Sequence, residues 1–346
     1  MLPISGQQTS ALYCPVEKVG STFWRRFVYM LTKKGPYQHP LNVPIKLAID
    51  KITKTPKNST PHMYERDFKF MFVRDPYHRV LSAYIDKLYV PNPYFWDKYG
   101  KPAIKLLRSG HDMKRTGCYH DLSFEEFVRF VIWSERNRKE LDAHFQVATE
   151  ICAPCTMNFT FIGKMDNFKS DAMLVANHFQ HQSTIKMLQE NLETLAKHDA
   201  IKDSIDSPFS WKGRIKRCMN WPEATKRIWR KLQMRGLVDM DQQYPLEGKA
   251  IERTSSPLFV QKALDASKRS DPALLKLQKR LVFVEMYGSV DPKLLEDMRD
   301  VYEADFRLFD YNASPPELFI NDSMRVVHDF IDFNKQDFGN FKTVEN

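Results

Sequence analysis

The chain has 346 residues, 42% of them hydrophobic, and we expect one large α/β domain with a long insertion rather than two independent domains. Lys and Arg exceed Asp and Glu by nine (52 against 43), a surplus that favours anionic ligands, nucleic acid among them. No apolar run approaches the roughly 20 residues of a membrane-spanning helix, and residues 1–11 lack the charged and apolar regions of a signal peptide.

The first predicted elements are a strand, a tight loop and a helix. An apolar run at residues 12–16 favours a strand, and apolar side chains recur at helical spacing from Thr22 onward. Gly20 lets a ligand approach the loop backbone, and Ser21 or Thr22 can cap the helix, whose first N–H groups then favour an anion. Lys18 adds a positive charge. The pattern predicts a phosphate-binding loop, and the alternative is a strand-to-helix turn with an exposed lysine.

A second predicted strand and helix carry further cations. Residues 67–73 favour a buried strand that Arg74-Asp75-Pro76 ends, because proline cannot continue a β-ladder. Arg79 and Ser82 lie away from the apolar face of the helix that follows. Arg74 is then expected at the carboxyl edge of the sheet, where open α/β folds bind nucleotides, and Arg74 with Ser82 can bind one phosphate. The alternative is a salt bridge between Arg74 and Asp75, with Ser82 as a small packing residue.

The segments that follow favour loops and helices. Residues 34–61 are rich in Pro, Lys and Asn and favour a loop with one short helix at 45–52. Residues 91–102 favour another loop, aromatic enough to help line a site. Ser123, with Glu126 three positions later, predicts a capped helix.

The later part of the chain is mostly helical and polar. Residues 159–163 favour a strand, and residues 181–280 are a predicted insertion or lid. Residues 211–236 are strongly basic, and a helix is expected there from near Pro222 to Gly236. Its basic side chains favour a solvated surface, with an acceptor-binding face as the alternative.

Five cysteines include one Cys-x-x-Cys pair, Cys152 and Cys155. A structural zinc site usually needs a second pair or two histidines at fitting spacing, and neither is near, so we expect no metal. A disulfide is favoured, with partners that the sequence does not assign. Four sequons, which a secreted or Golgi lumenal protein permits, begin at Asn58, Asn158, Asn312 and Asn321.

The motifs, taken in order, resemble the carbohydrate sulfotransferases, specifically the branch with the chondroitin and dermatan 4-O-sulfotransferases and the human-natural-killer-1 epitope sulfotransferase. The resemblance covers residues 12–175 well and 283–311 moderately, which leaves 312–346 as a C-terminal tail. It rests on Cys-Pro-Val-Glu-Lys-Val-Gly-Ser-Thr at 14–22, Arg-Asp-Pro at 74–76 with Arg79 and Ser82, Asp-Ala-His at 142–144, Cys-Ala-Pro-Cys at 152–155, Ile-Gly-Lys-Met-Asp at 162–166 and Tyr-Glu-Ala-Asp-Phe at 302–306.

This resemblance implies a sulfotransferase fold, with a P-loop-like central parallel sheet flanked by helices and a largely helical insertion. It implies transfer of a sulfuryl group from 3′-phosphoadenosine 5′-phosphosulfate (PAPS) to a hydroxyl of an anionic glycan such as chondroitin or dermatan. The partners are then the nucleotide donor and the glycan, without a metal and without nucleic acid. The first motif would hold the 5′-phosphosulfate and the second the 3′-phosphate. The implied donor-binding residues are Lys18, Val19, Gly20, Ser21, Thr22, Trp24, Arg25, Arg74, Arg79 and Ser82.

Two residues are implied to act in the reaction itself. Lys18 would stabilise charge on the transferred group. His144 would take the proton of the acceptor hydroxyl, for which a histidine with an ordinary pKa near 6.5 is suited.

The chain also departs from the resembled family. Glu17 stands where the family usually has proline, Phe145 where it has tryptophan, Asp166 where it has glutamate and Asp310 where it has glycine. A carboxylate at position 17 would repel PAPS unless it points away or pairs with Arg25 or Arg26. Members of the family are typically Golgi type II membrane proteins with a lumenal catalytic domain, and we expect their N-terminal anchor to be missing from this chain.

Three other functions fit parts of the sequence. A P-loop-type kinase needs a Ser or Thr directly after its lysine, whereas Val19 follows Lys18. A nucleic-acid-binding module would use the basic stretch at 211–236. A catalytically inactive glycan-binding relative would follow if Glu17 impairs donor binding.

Overall fold

The computed structural model describes residues 1–5, 10–33, 35–52, 65–108 and 118–319. Its strands are β1 (Leu2–Ser5), β2 (Ser10–Cys14), β3 (Phe68–Val73) and β4 (Phe161–Lys164). Its helices are α1 (Ser21–Thr32), α2 (Ile45–Lys51), α3 (Pro76–Tyr84), α4 (Pro93–Phe95), α5 (Lys101–Leu107), α6 (Phe124–Arg136), α7 (Ala148–Cys152), α8 (Pro154–Met157), α9 (Phe168–His178), α10 (Gln182–Glu190), α11 (Leu192–Ser210), α12 (Lys212–Ile215), α13 (Trp221–Met234), α14 (Lys249–Arg253), α15 (Ser256–Arg269), α16 (Pro272–Gly288), α17 (Pro292–Val301) and α18 (Glu303–Leu308). Single 3₁₀ turns span Pro40–Asn42 and Met165–Asn167, and π-helical turns span Ile85–Tyr89 and Trp96–Gly100.

Within the described residues the chain divides into two compact units. The first comprises Met1–Val80, Arg138–Ala196 and Val301–Ala313, and it contains the four strands. The second is helical and comprises the described parts of Leu81–Asn137, Lys197–Asp300 and Ser314–Asn346. The expectation of one domain with a helical insertion at 181–280 remains a prediction.

The sheet of the first unit has the strand order β1-β2-β3-β4. Strands β2, β3 and β4 are parallel, which confirms the predicted α/β fold with a parallel sheet flanked by helices. Cys14 pairs with Met71 and Val73 pairs with Lys164, so these three strands end at the same edge of the sheet. The antiparallel edge strand β1 is an addition that the sequence reasoning missed.

An aromatic core holds α1 against this sheet. Trp24 is 1% exposed, and its ring centroid lies 4.4 Å from that of Phe72 on β3. Phe70 on β3 and Phe168 on α9 contact the same indole. Because burying an aromatic side chain of this size contributes several kcal/mol, the start of α1 is fixed relative to the carboxyl ends of β2 and β3.

Several short elements match the sequence and one does not. The helix expected at 45–52 is α2, the capped helix after Ser123 is α6, and the reciprocal hydrogen bonds of Ser123 and Glu126 form its capping box. The prediction of a loop at 91–102 is wrong, because this stretch is helical in α4, the π-helical turn Trp96–Gly100 and the start of α5. The Asn92 side chain accepts from the Phe95 N–H and so caps α4, and proline is tolerated in a first helical turn.

The basic stretch forms α12 and α13 in the second unit, with α13 capped by Asn220 and followed by Gly236 at φ +63°. The prediction that these basic side chains lie on a solvated helix surface is wrong for Lys231, which is 2% exposed and donates to Asp86 over 2.5 Å. Arg227 donates to the His120 carbonyl, and Arg235 donates to Ser204 over 2.7 Å. Much of the positive charge of this stretch therefore holds the second unit together.

Two disulfides occur among the described residues, Cys14–Cys152 and Cys118–Cys218, while Cys155 is exposed and reduced. Asn158 and Asn312 are exposed, as glycosylation requires, whereas Asn58, Asn321 and the tail from residue 320 lie outside the described residues. Among the helices of the described chain, none combines the length and the apolar character needed to cross a membrane.

Candidate active site

The cradle loop, residues 15–20, joins the carboxyl end of β2 to α1. Gly20 has φ +76° and holds the N-cap position, and a Cβ there would lie 3.0 Å from the Phe168 ring, so both backbone and space require glycine. The prediction that Ser21 or Thr22 caps α1 is wrong, because the cap is Gly20 and the Ser21 hydroxyl donates to Glu17. Because glycine has no side chain, the N-cap residue accepts no hydrogen bond from the first N–H groups of α1 through a side chain. Such a helix start suits the binding of an anion.

Glu17 lies within the cradle loop as a paired anion. Its Oε1 accepts a hydrogen bond from Arg25 Nη2 over 2.5 Å, and its Oε2 accepts one from the Ser21 hydroxyl over 2.6 Å. Burial alone would raise the pKa of Glu17, but the charge and hydrogen bond of Arg25 outweigh burial and lower that pKa to about 2. Of the alternatives that the sequence left open, in which Glu17 points away or pairs with Arg25 or Arg26, the structure shows the pairing with Arg25.

His144 is oriented by a carboxylate on its own turn. Its Nδ1 bonds to Asp142 Oδ1, and the same oxygen accepts the backbone N–H of His144 over 3.0 Å. With Nδ1–H donated to Asp142, Nε2 is the nitrogen left to accept a proton. Nε2 lies 4.0 Å from Glu17 Oε2, and the His144 side chain is 19% exposed. The fold therefore brings His144 to the cradle loop across more than a hundred residues of sequence.

Arg79 connects the cradle loop to the turn that carries His144. It is 1% exposed, and its Nε donates to the Glu17 carbonyl over 3.0 Å. Its two Nη groups donate to the carbonyls of Ala143 and Gln146, each over 2.7 Å. A guanidinium suits this task, because its planar fork can donate in three directions at once.

The motif at residues 302–306 and a disulfide support the same turn. Tyr302 donates to the Phe145 carbonyl, and the Asp305 carboxylate accepts the N–H groups of Ala148 and Thr149 at the start of α7, each over 2.8 Å. Cys152 at the end of α7 is bonded to Cys14 at the end of β2. Sequence reasoning gave Tyr302 and Asp305 no role, although both lie in the motif it identified.

The motif at residues 162–166 packs closely on the sheet. A Cβ on Gly163 in β4 would lie 2.5 Å from the Phe72 ring, so only glycine fits there. Lys164 Nζ donates to the Asp310 carbonyl over 3.2 Å, and Tyr311 donates to Asp166 over the same distance. These contacts attach residues 310 and 311, shortly after the motif at 302–306, to the end of β4.

The other predicted site residues have distinct surroundings. Lys18, half-buried with φ +69°, lies on the cradle loop, and Arg74 directly follows β3 at the same edge of the sheet. Thr22 is half-buried in the first turn of α1, while the side chains of Val19 and Trp24 are fully buried. Ser82 lies on α3 three residues after Arg79, within the second unit.

This arrangement suits an anionic ligand and a proton transfer. Lys18, Arg25 and the start of α1 supply positive charge and N–H donors, and Arg74 adds a cation at the same edge of the sheet. His144 supplies an oriented acceptor for a proton. Across the described residues, no cluster of His, Cys, Asp and Glu has the arrangement of a metal site.

Residues 4–207 match the sequence profile described as the sulfotransferase family. The chain belongs to this family. It is similar to carbohydrate sulfotransferase 11 of Rattus norvegicus, with 32% identity over 47% of the chain and 49% of that protein. It is also similar to carbohydrate sulfotransferase 14 of Danio rerio, with 31% identity over 47% of the chain and 44% of that protein. A third relative is carbohydrate sulfotransferase 8 of Mus musculus, with 27% identity over 46% of the chain and 39% of that protein. These alignments cover less than half the length of each relative. No solved structure matches this chain significantly.

Proposed function

We propose that this sulfotransferase moves a sulfuryl group from PAPS to a hydroxyl of an anionic glycan. The observation that carries the proposal is the approach of His144 Nε2 to within 4.0 Å of Glu17 in the cradle loop. A proton acceptor and a loop suited to phosphate thus share one site, as transfer from an activated sulfate to a hydroxyl requires.

Donor binding is proposed to use both ends of the nucleotide. Lys18, Arg25 and the N–H groups at the start of α1 would bind the 5′-phosphosulfate, since these donors surround the cradle loop. Arg74, at the end of β3, would bind the 3′-phosphate. Val19, Gly20 and Thr22 would contribute backbone or hydroxyl contacts, whereas the indole of Trp24 supports α1 from the core.

Arg79 is proposed to position the site rather than to bind the donor. Its three described hydrogen bonds go to backbone carbonyls, and its side chain is 1% exposed. With so little of the side chain exposed, an incoming phosphate has little access to this guanidinium. Its proposed role is to hold the His144 turn against the cradle loop.

The proposed reaction is one in-line displacement. The acceptor oxygen forms a bond to sulfur while the bond between sulfur and the bridging oxygen of the donor breaks, which gives a sulfate ester and 3′-phosphoadenosine 5′-phosphate (PAP). His144 Nε2 takes the hydroxyl proton, and Asp142 on Nδ1 stabilises the resulting imidazolium. Lys18 stabilises the negative charge on the bridging oxygen as it leaves. Glu17 does not suit the role of base, because its pKa near 2 makes it a weak proton acceptor.

The acceptor is proposed from the relatives and the compartment from the disulfides. Carbohydrate sulfotransferases 11 and 14 act on carbohydrates by name, and we propose a glycosaminoglycan such as chondroitin or dermatan as acceptor. The two disulfides in the described chain suit an oxidising compartment. We therefore propose the Golgi lumen.

An inactive glycan-binding relative is the second candidate, and Glu17 is the residue that favours it. Its carboxylate lies in the cradle loop, where it would repel the donor. However, its charge is already balanced by Arg25, so a single rearrangement of this pair opens the loop to an anion. We therefore favour the active enzyme.

The test is incubation of the purified protein with radiolabelled PAPS and a panel of chondroitin, dermatan, heparan and glucuronyl-lactosamine acceptors. Lys18→Ala and Arg74→Ala should abolish transfer, while His144→Ala should retain PAP binding and lose turnover. Lys169→Ala, which removes an exposed lysine on α9, is the matched control and should behave as the native protein. Near-normal turnover of His144→Ala would show that the base is another group, and absence of transfer to every acceptor, with PAP bound, would favour the inactive relative.

A further inference from the structure

Two side chains of α1 that could bind a donor anion beside the cradle loop are already occupied. Arg25 and Ser21 both hydrogen bond to the Glu17 carboxylate, over 2.5 Å and 2.6 Å. Glu17 is 17% exposed and Arg25 is 19% exposed, so the pair is partly shielded from water and held more firmly than a surface ion pair.

We propose that Glu17 is an internal competitor for the sulfate donor: its carboxylate occupies Arg25 and Ser21 when the donor is absent and leaves them when a phosphosulfate binds. This inference rests on the proposed function and adds a step to it. Donor binding becomes an exchange of one anion for another at the same two partners, and the return of Glu17 to Arg25 assists the departure of PAP.

Electrostatics supports an exchange rather than simultaneous binding. In the absence of the donor Glu17 is negatively charged at neutral pH, because its pKa lies near 2. An incoming phosphosulfate would place further negative charge within a few ångströms of this carboxylate, and like charges at that distance repel strongly in a partly buried site. Arg25 has one guanidinium, and the donor brings the larger charge to compete for it.

The charged and titratable groups that face Glu17 come from several elements. Arg25 lies on α1 and His144 on the turn before α7, while the buried Tyr13 on β2 also interacts with Glu17 and Arg25. Burial raises the pKa of Tyr13, so its phenol stays neutral. Arg79 bonds the Glu17 carbonyl, so the backbone of this residue can stay in place while its side chain rotates.

The proposal makes an unusual prediction for binding: removal of a charged partner should tighten the complex. PAP affinity is measured by calorimetry at pH 7.5 for the native protein and for Glu17→Gln. We expect the variant to bind PAP about 5- to 50-fold more tightly, since Arg25 is then free for the ligand. Glu193→Gln, which removes an exposed carboxylate on α11, should leave the affinity unchanged. Glu17→Pro, which introduces the residue usual in the resembled family, provides a second variant with the same expected direction should Glu17→Gln fold poorly.

Proton uptake provides a readout that a purely structural role would not change. Once displaced from Arg25 and placed near an anion, Glu17 should have a pKa above its ordinary 4.5 and bind part of a proton at pH 5. Titrations of PAP in two buffers of different ionisation enthalpy should show this uptake in the native protein and its loss in Glu17→Gln. The nucleotide's own titration is common to both and cancels in the difference.

The outcomes separate this inference from the proposed function. Tighter PAP binding by the variants together with the lost proton uptake supports the exchange. Native protein that binds PAP, with variants that bind it equally or more weakly, overturns the exchange and leaves the proposed function standing. Folded protein that binds no PAP in any form overturns both.

Discussion

Replacement of Arg79 by lysine tests whether this residue supports the site or binds the donor. Arg79 donates to three backbone carbonyls at 3.0, 2.7 and 2.7 Å. Lysine keeps the positive charge but has one nitrogen on a differently shaped side chain, so at least two of these carbonyls lose their partner. Each lost bond from a charged donor to a buried acceptor costs about 1.5 kcal/mol. Arg79→Lys should therefore lower the free energy of unfolding by about 3 kcal/mol, which corresponds to about 6–12 °C in Tm for a domain of roughly 150–250 residues.

The same substitution should reduce turnover more than donor binding. Loss of the bonds to Ala143 and Gln146 releases the turn that orients His144, so kcat for sulfate transfer should fall about 10- to 100-fold, while the Kd of PAP changes by less than about threefold. Thermal unfolding, calorimetry with PAP and a radiolabelled transfer assay measure the three quantities. Arg307→Lys, on an exposed arginine of α18, is the control. An Arg79→Lys protein of native Tm that binds PAP more than about tenfold more weakly would refute this reasoning and make Arg79 a phosphate ligand.

Three further predictions concern the cradle loop and its covalent support. Replacing Cys14 and Cys152 together by serine should lower the free energy of unfolding by about 5 kcal/mol, because the disulfide closes a loop with a sequence separation of 138 residues; urea unfolding measures this, and Cys155→Ser should have no comparable effect. Glu17 has a pKa lowered from 4.5 to about 2 in the folded protein, so it stabilises the protein above about pH 4.5 and this stabilisation is lost as the pH falls towards 2. The difference in unfolding free energy between native protein and Glu17→Gln should be about 3 kcal/mol at pH 7 and about half of that at pH 3, and a difference independent of pH would contradict the ion pair. Gly20→Ala should lower Tm by several degrees and weaken PAP binding, because alanine is strained at φ +76° and its Cβ meets Phe168; native values of both would show that the loop adapts.

Local sequence patterns were sufficient for the elements around the site. Strand β3, helix α1 and the capping box of α6 depend on neighbours a few residues away, and each followed from apolar spacing or turn chemistry. The loop prediction for residues 91–102 was wrong because it used the same local patterns. Proline and asparagine are typical of loops, whereas here Asn92 and Pro93 begin a helix.

The contacts that assemble the site could not be predicted in this way. Arg79 bonds carbonyls more than sixty residues away on two separate segments, and no spacing rule connects an arginine on one helix with a turn elsewhere in the chain. The partner of Cys14 was likewise unassignable, since five cysteines permit many pairings. The order of the motifs along the chain indicated only indirectly, through the resemblance, that these distant segments meet.

Net charge proved a weaker guide to ligands than the position of individual cations. The basic stretch at 211–236 was the largest concentration of positive charge in the sequence, yet Lys231 is buried against Asp86 and burial lowers its pKa. Such a cation contributes little potential outside the protein, because its charge is neutralised within 2.5 Å. Lys18 and Arg74 are only two cations, fewer than those at 211–236. They lie, however, where parallel strands end and where the fold presents N–H donors. The surplus of nine positive charges is therefore weak evidence for an anionic partner by itself, and the case for one rests on the cradle loop.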